Sequence, residues 1–227
     1  MKSYVSIALD GPAGAGKSTM AKAVAKDLGY CYVDTGAIYR TLGYHISLYG
    51  IGPRDVDGVT RLIDDANIEI TYDDQGGQHM ILNGTDVTDE LRTPQMSDYA
   101  SKISVMKPVR AYLLDLQRDL ARKHNVIMDG RDIGTVVLPN ADVKIYLTAS
   151  AEVRAKRRYE ELLQKGEKKQ TYEKVLKEIQ ERDDRDMNRP VAPLKQARDA
   201  VLLDTSELTI EQSVAAIKEI IEKRLGK

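Results

Sequence analysis

The stretch Gly11-Pro12-Ala13-Gly14-Ala15-Gly16-Lys17-Ser18 decides the fold of this chain. It fits the pattern G-x-x-x-x-G-K-[ST], whose backbone N–H groups turn inward around a phosphate. The apolar run Tyr4–Leu9 precedes it, and residues 18–28 follow with apolar side chains four positions apart. A strand, a glycine-rich loop and a helix in this order are the context that the motif requires. The sequence therefore predicts a site for a nucleoside triphosphate.

The chemistry of this loop assigns parts to its residues. Lys17 is expected to reach the β- and γ-phosphate oxygens, and the helix that begins near Ser18 adds the positive end of its dipole. The Ser18 hydroxyl is expected to bind Mg²⁺. No Asn-Lys-x-Asp motif occurs, which weighs against a GTPase switch. With ATP as the triphosphate, the binding residues are Gly11, Pro12, Ala13, Gly14, Ala15, Gly16, Lys17, Ser18 and Thr19.

Two acidic residues are candidates for ordering the metal. Asp129 follows the apolar run 126–128 and resembles a Walker B carboxylate, in which a buried strand delivers an acid to Mg²⁺ or its waters. A capping role for Asp129 is an equally good interpretation of so short a pattern. Asp34, which ends the run 31–33, is the other candidate. The sequence leaves the choice between them open.

The rest of the chain continues as an α/β pattern. The run 31–33 and a helix up to Gly50 complete a βαβ unit, which predicts a parallel sheet with flanking helices. Between about 63 and 92 an alternating run, a turn and the dipeptide Asn83-Gly84 predict short antiparallel strands at the rim of that sheet. Further expected elements are a helix over 109–123, strands at 126–128, 143–147 and 200–203, two charged helical segments within 151–188 broken at 165–167, and a closing helix after about 210.

Composition limits the classes of function. The 227 residues carry 34 Lys and Arg against 35 Asp and Glu, a net charge of −1, which argues against a nucleic-acid partner. No apolar run approaches the roughly 18 residues of a membrane span, so no membrane association is expected. The single cysteine, Cys31, cannot form an internal disulfide and is expected to be a buried strand residue. A cytoplasmic protein is the expectation.

Arginines recur where an anionic ligand is expected. Arg40 follows the stretch 34–39, and Arg131 comes directly after a predicted strand, where ligand crevices of α/β proteins lie. A third group shares one helical face: Arg182, Arg185, Asp186 and Arg189. Spacing alone leaves open whether this face binds phosphate or is a surface ion-pair stripe, which is the commoner case.

Other clusters carry weaker signals. Three arginines, Arg154, Arg157 and Arg158, lie at helical offsets in the first charged segment and are candidates for a lid over the phosphates, or for a solvated face. The histidines, which are His45, His79 and His124, lack metal-ligand spacing and are expected to be structural or surface residues.

Four segments together resemble bacterial cytidylate kinases over nearly the whole chain. They are Gly-Pro-Ala-Gly-Ala-Gly-Lys-Ser at 11–18, Asp-Thr-Gly-Ala-Ile-Tyr-Arg at 34–40, Asp-Gly-Arg-Asp-Ile-Gly-Thr-Val-Val at 129–137 and Arg-Asp-Asp-Arg-Asp-Met-Asn-Arg at 182–189. The resemblance implies a single P-loop kinase domain, 1–227, with an insert at about 63–92 that binds the nucleoside monophosphate and a helical lid at about 151–170.

The resemblance also implies a role for each site residue. Arg40, Arg131 and Arg189 would hold the CMP phosphate; Ser101, Arg110 and Asp132 would read cytosine; and Arg182 with Asp186 would meet the sugar. Thr35 stands where family members often have serine, which keeps the hydroxyl. The residues expected to stabilise the transferring phosphoryl group are Lys17, Arg131, Arg189, Arg154 and Arg158.

The implied reaction moves the γ-phosphoryl group of MgATP to CMP or dCMP, giving ADP and CDP or dCDP. Two other functions remain open on the residues alone. One is a P-loop kinase for another small acceptor, such as shikimate or UMP. The other is a nucleotide-dependent binding or switch protein without turnover, which would need no acceptor.

Overall fold

The computed structural model describes residues 4–164, 166–167 and 170–226. Its strands are β1 (Ser6–Asp10), β2 (Cys31–Asp34), β3 (Ile68–Tyr72), β4 (Gln78–Leu82), β5 (Thr85–Asp86), β6 (Val126–Gly130), β7 (Val143–Thr148) and β8 (Val201–Asp204). Its helices are α1 (Lys17–Leu28), α2 (Thr35–Leu48), α3 (Val56–Leu62), α4 (Pro94–Ile103), α5 (Lys107–Lys123), α6 (Ala151–Gln164), α7 (Tyr172–Asn188) and α8 (Ile210–Leu225).

A parallel sheet with the strand order β2-β6-β1-β7-β8 forms the centre of the molecule. Helices α1 and α8 cover one face around Val24 and Ile217. Helices α2, α4 and α5 pack together on the other side around Ile38, Ile103 and Leu113. The predicted α/β class with a parallel sheet is confirmed, since buried strands that read as continuous apolar runs need helices on both faces.

The register of the strands gathers acidic residues at one edge of the sheet. Asp34 pairs with Asp129 across β2 and β6, and Asp10 pairs with Gly130 across β1 and β6. Parallel strands end together, so Asp10, Asp34 and Asp129 all lie at the carboxyl edge. Ligands of open α/β sheets bind outside this edge.

The antiparallel strands predicted between 63 and 92 form a separate small sheet, in the order β3-β4-β5. Two side chains attach it to the end of β2. The Tyr72 hydroxyl donates to the Tyr32 carbonyl at 3.0 Å, and Gln78 Oε1 accepts from the Asp34 N–H at 2.8 Å. The small sheet therefore lies beside the carboxyl edge of the central sheet.

The two charged helical segments predicted after 151 are α6 and α7, which pack on each other through Ala155, Leu162, Val175 and Ile179. The expected lid range, 151–170, includes residues 165, 168 and 169, which lie outside the described residues, as do residues 1–3 and 227 of the expected domain.

Some details differ from the sequence prediction. Cys31 is half-buried rather than buried, because it begins a strand at the edge of the sheet. The sequence pattern does not predict α3, α4 or a π-helical turn at Ile133–Val137. All three are short or interrupted by polar residues, so their apolar periodicity is weak. Within the described part of the chain, the helices are too short or too polar to cross a membrane.

Candidate active site

The glycine-rich loop connects β1 to α1 and leaves the start of that helix open. Gly16 adopts a left-handed φ of 81°, and a Cβ at Gly11 would overlap the carbonyl oxygen of Leu147. Both positions therefore require glycine. No described side chain caps the first turn of α1, so its N–H groups remain available to an anion.

Lys17 is curled back onto the loop. Its Nζ donates to the Pro12 carbonyl at 2.7 Å, and the residue is only 6% exposed. Burial, followed by the nearby charge of Arg131, lowers the pKa of Lys17 to about 7, although Asp129 and Asp10 oppose this change. A bound polyanion would stabilise the charged form of Lys17, because its negative charge compensates for both the burial and the repulsion from Arg131.

Asp129 lies next to the loop, as the Walker B interpretation requires. Its Oδ2 accepts from Ser18 Oγ at 2.7 Å, and its Oδ1 accepts from the Tyr32 hydroxyl at 3.3 Å. Burial, followed by the charge of Asp34, raises its pKa to about 6. A hydroxyl and a carboxylate side by side form an oxygen donor set of the kind that Mg²⁺ takes beside substrate phosphates.

Both carboxylate oxygens of Asp34 already accept hydrogen bonds from other residues. One caps α2 by accepting from the Ala37 N–H at 2.9 Å, and the other binds Arg40 Nη2 at 2.8 Å. Thr35 is buried, and its hydroxyl donates to the Asp129 carbonyl at 2.7 Å. Asp34 therefore positions Arg40 at the edge of the sheet, while Thr35 fixes the backbone of β6.

The face that carries Arg182, Asp186 and Arg189 is not a solvated stripe. Asp186 and Arg189 are buried, and Asp186 Oδ2 accepts from Arg131 Nε at 2.9 Å. Burial raises the pKa of Asp186, but Arg131 and Arg182 outweigh it and hold that pKa below the usual range. Of the four residues predicted to share this helical face, only Arg185 is exposed.

Arg182 completes a cluster of positive charge. Burial, followed by the charge of Arg131, lowers its pKa to about 10, and its Nε is buried without a partner among the described residues. The charge of Arg40 also lowers the pKa of Arg182, and the charge of Arg182 in turn lowers the pKa of Lys17. Several cations with an unsatisfied donor are the surroundings that a phosphate group stabilises.

Asp132 is held between two arginines. Its Oδ2 accepts from Arg110 Nη2, and its Oδ1 accepts from Arg189 Nη2 at 2.9 Å. All three residues are buried, and the ring of Tyr39 lies 5.8 Å from the Arg110 guanidinium carbon. Arg110 also donates to the Ser104 carbonyl at 3.3 Å, one turn after Ser101 on α4. The residues expected to read the base thus lie on neighbouring segments.

The lid candidates separate in the structure. Arg154 is buried and donates to Ala13 of the glycine-rich loop at 3.0 Å and to Asp183 at 2.6 Å. Arg157 donates to the Thr205 carbonyl at 2.7 Å, and Arg158 pairs with Glu161 at 2.7 Å with 40% of its side chain exposed. The structure brings Arg154 to the loop and leaves Arg157 and Arg158 away from it.

The comparison with known sequences decides the family. The sequence model of the family described as Cytidylate kinase matches residues 7–223. This chain belongs to the cytidylate kinase family. The resemblance inferred from the four segments is thereby confirmed.

Close relatives support the assignment. The chain is 49% identical to a cytidylate kinase of Carboxydothermus hydrogenoformans, over 96% of this chain and 97% of the relative. It is 47% identical to a cytidylate kinase of Caldicellulosiruptor saccharolyticus, over 98% and 97%. An uncharacterized protein from Eubacterium ventriosum, with a solved crystal structure, shares the fold alone, with a TM-score of 0.54, 11% identity and coverage of 96% and 98%.

Proposed function

We propose that this chain transfers the γ-phosphoryl group of MgATP to CMP or dCMP, giving ADP and CDP or dCDP. The observation that carries the proposal is the arginine and aspartate network around Asp132 and Asp186, buried at the same sheet edge as the glycine-rich loop. A protein that only bound or hydrolysed a triphosphate would not need a second buried anion site. Membership of the cytidylate kinase family gives the acceptor its identity.

The loop is the donor site. Its N–H groups and the open start of α1 bind the β-phosphate, and Lys17 exchanges the Pro12 carbonyl for β- and γ-phosphate oxygens. Mg²⁺, when bound, would neutralise negative charge on the β- and γ-phosphates. The residues that fit it are Ser18 and Asp129, since the oxygens of Asp34 already bind Arg40 and Ala37.

The acceptor phosphate binds among Arg40, Arg131 and Arg189, and Arg182 adds a further positive charge beside Arg40 and Arg131. An oxygen of this phosphate attacks the γ-phosphorus, the bond between that phosphorus and the β,γ-bridging oxygen breaks, and ADP leaves with the bond's electron pair. No covalent enzyme intermediate forms. The arginines and Lys17 act by positioning and by charge neutralisation.

The base binds near Ser101, Arg110 and Asp132. Each carboxylate oxygen of Asp132 accepts one arginine hydrogen bond, which leaves lone pairs for the cytosine amine. Arg110 and the Ser101 hydroxyl supply donors for the ring acceptors of cytosine. Asp186 and Arg182 meet the sugar, where a hydroxyl can donate to the buried carboxylate.

The flanking segments close the site. Residues at about 63–92 form the insert that receives the monophosphate, since Gln78 attaches it to Asp34 beside Arg40. The segment at about 151–170 forms the lid, in which Arg154 contacts the loop. Arg158 would have to leave Glu161 to reach the phosphates, so its role depends on lid movement. The free Cys31 is consistent with a reducing, cytoplasmic compartment.

A coupled assay of ADP release tests the function. With MgATP alone, release should be slow, and adding CMP or dCMP should accelerate it by orders of magnitude. Release that is independent of any acceptor would indicate a binding or switch protein. Acceleration by UMP or shikimate in place of CMP would indicate a different kinase.

A further inference from the structure

The loop that carries Arg131 and Asp132 is tied to the end of β1 by one buried side chain. Asp10 is 4% exposed. Its Oδ1 accepts from the Ile133 N–H and its Oδ2 from the Gly134 N–H, each at 2.7 Å. The two carboxylate oxygens of Asp10 therefore accept from the two consecutive backbone N–H groups that directly follow Arg131 and Asp132.

The far end of the same turn is held by α5. Arg118 donates from Nε to the Val137 carbonyl at 3.0 Å and from Nη2 to the Val136 carbonyl at 3.1 Å. The turn between these anchors is a single π-helical turn, closed by the Leu138 N–H donating to the Ile133 carbonyl at 2.7 Å. So short a turn has no neighbouring helical turns to stabilise it, and its shape depends on side chains at its ends.

The anchor at Asp10 is itself rigid. Asp10 ends β1 and immediately precedes Gly11, whose backbone lies against the Leu147 carbonyl too closely for a side chain. The backbone of Asp10 therefore cannot move without moving the first residue of the donor loop, and its two hydrogen bonds hold the side chain. Burial raises its pKa to about 6, because its two backbone hydrogen bonds offset only part of the cost of keeping it ionised.

We propose that Asp10 is a positioning residue that fixes the acceptor loop 131–134 to the donor loop, with Arg118 holding the far end of the turn. The inference rests on the proposed function. In that reaction, the link from Asp10 to Ile133 and Gly134 sets the distance between the two nucleotides. Neither residue needs to touch a nucleotide, because each acts through the placement of Arg131 and Asp132.

Asp10→Asn tests the proposal with almost no change in volume. The amide has one acceptor oxygen, so its NH₂ group faces one of the two N–H donors. The free loop relieves this unpaired donor by moving, and returning it to its place on binding CMP then lowers affinity by up to about 10- to 100-fold. We expect KM for CMP to rise by about that factor, and the affinity for ATP alone, measured by calorimetry, to fall by much less, since Asp10 has the smallest effect of the charges that act on Lys17.

Asp142→Asn is the matched control. Asp142 Oδ2 accepts from the Ser6 N–H at 2.7 Å, at the opposite end of β1 and away from the site. The same chemical change there should leave KM for CMP unaltered. A role of Asp10 in stability alone would lower the melting temperature and the active fraction without a selective change in KM for CMP.

Arg118→Met provides a second test should Asp10→Asn fail to fold. The substitution removes the two N–H donors that bind the Val136 and Val137 carbonyls and keeps an unbranched apolar side chain. KM for CMP should again rise severalfold, and ATP binding should be retained. The proposal is wrong if the variant that folds keeps the wild-type KM for CMP, or loses affinity for both nucleotides equally. A wild type that does not phosphorylate CMP in this assay would overturn the proposed function, and the inference with it.

Discussion

Arg131 and Asp186 form an ion pair across the site, with Arg131 Nε 2.9 Å from Asp186 Oδ2. The pair joins the loop after β6 to α7, and the aspartate side chain is 8% exposed. It holds Arg131 in the orientation from which its remaining N–H groups can face a phosphate. The pair therefore connects α7 directly to the loop that carries Arg131 and Asp132.

Asp186→Ala should lower kcat/KM for both CMP and dCMP by tens of fold. The change removes an acceptor for a sugar hydroxyl and leaves Arg131 and Arg182 without their counter-charge; a charged hydrogen bond contributes about 1.5–3 kcal/mol. Steady-state kinetics with both substrates and a melting curve measure the effect. Asp184→Ala is the control, since Asp184 is exposed on the same helix and bonds only to Asn188 in its described contacts. Equal kinetics for the two variants would contradict the assignment.

Lys17→Ala should reduce ATP-to-CMP transfer by about 10² or more, because a donor that neutralises phosphate charge in a closed site is worth several kcal/mol. The variant should keep its circular dichroism spectrum, since Lys17 bonds to a loop carbonyl and removing a buried cation does not open the sheet. Lys26→Ala, on the exposed side of α1, should keep full activity. Unchanged turnover in Lys17→Ala would show that the loop does not bind the donor.

Some parts of the site could be predicted from the sequence, and others could not. The donor loop could be predicted because its strand, glycines and helix are contiguous, so local spacing carries the whole signal. The arginine pair on Asp132 could not, because its partners lie 22 and 57 residues away and only the tertiary fold brings them together. Resemblance to a family supplied those residues, while spacing did not.

Helical offsets predict which residues share a face but not what that face contacts. Residues 182–189 seemed most like a surface stripe, yet α7 turns Asp186 towards Arg131. Arg154 and Arg158 were equivalent by spacing, and only packing separates the buried one from the exposed one. No sequence pattern indicates the contacts of Asp10, because its partners at 133 and 134 are distant in sequence.

The small sheet should show pH-dependent stability through His79. Its Nδ1 lies 2.7 Å from Asp86 Oδ2 and its Nε2 lies 3.5 Å from Asp73 Oδ2, so it links β5 to the turn between β3 and β4. The hydrogen bond to Asp86 raises the pKa of His79 above its unfolded value. The stabilisation is therefore fully present below about pH 6.5 and is lost as the pH rises through the raised pKa.

His79→Gln tests this linkage by thermal denaturation at pH 5.5 and pH 8. Wild type should melt above the variant at the lower pH, and the difference should shrink at the higher pH. His124→Gln, at an exposed position after α5, should show no such trend. A difference for His79→Gln that is constant with pH would mean that the imidazole does not act through its charge.

Discrimination between bases is the most specific test of the acceptor site. If Asp132 accepts from the cytosine amine, UMP places a carbonyl oxygen against the carboxylate, which opposes two acceptors in a buried pocket. Wild type should therefore strongly prefer CMP to UMP. Asp132→Asn presents an NH₂ group that can face the uracil carbonyl, so the CMP/UMP ratio of kcat/KM should fall towards one.

The contacts of Asp132 add a stability cost to this variant. Asparagine leaves Arg110 and Arg189 buried without a counter-charge, and breaking a buried ion pair from one side costs about 3–5 kcal/mol. The assay must therefore run below the variant's melting temperature. The ratio of kcat/KM for two substrates in one sample is independent of the folded fraction, so it isolates base recognition from stability. A variant that loses activity on CMP and UMP in equal proportion would show that Asp132 orders the two arginines and does not read the base.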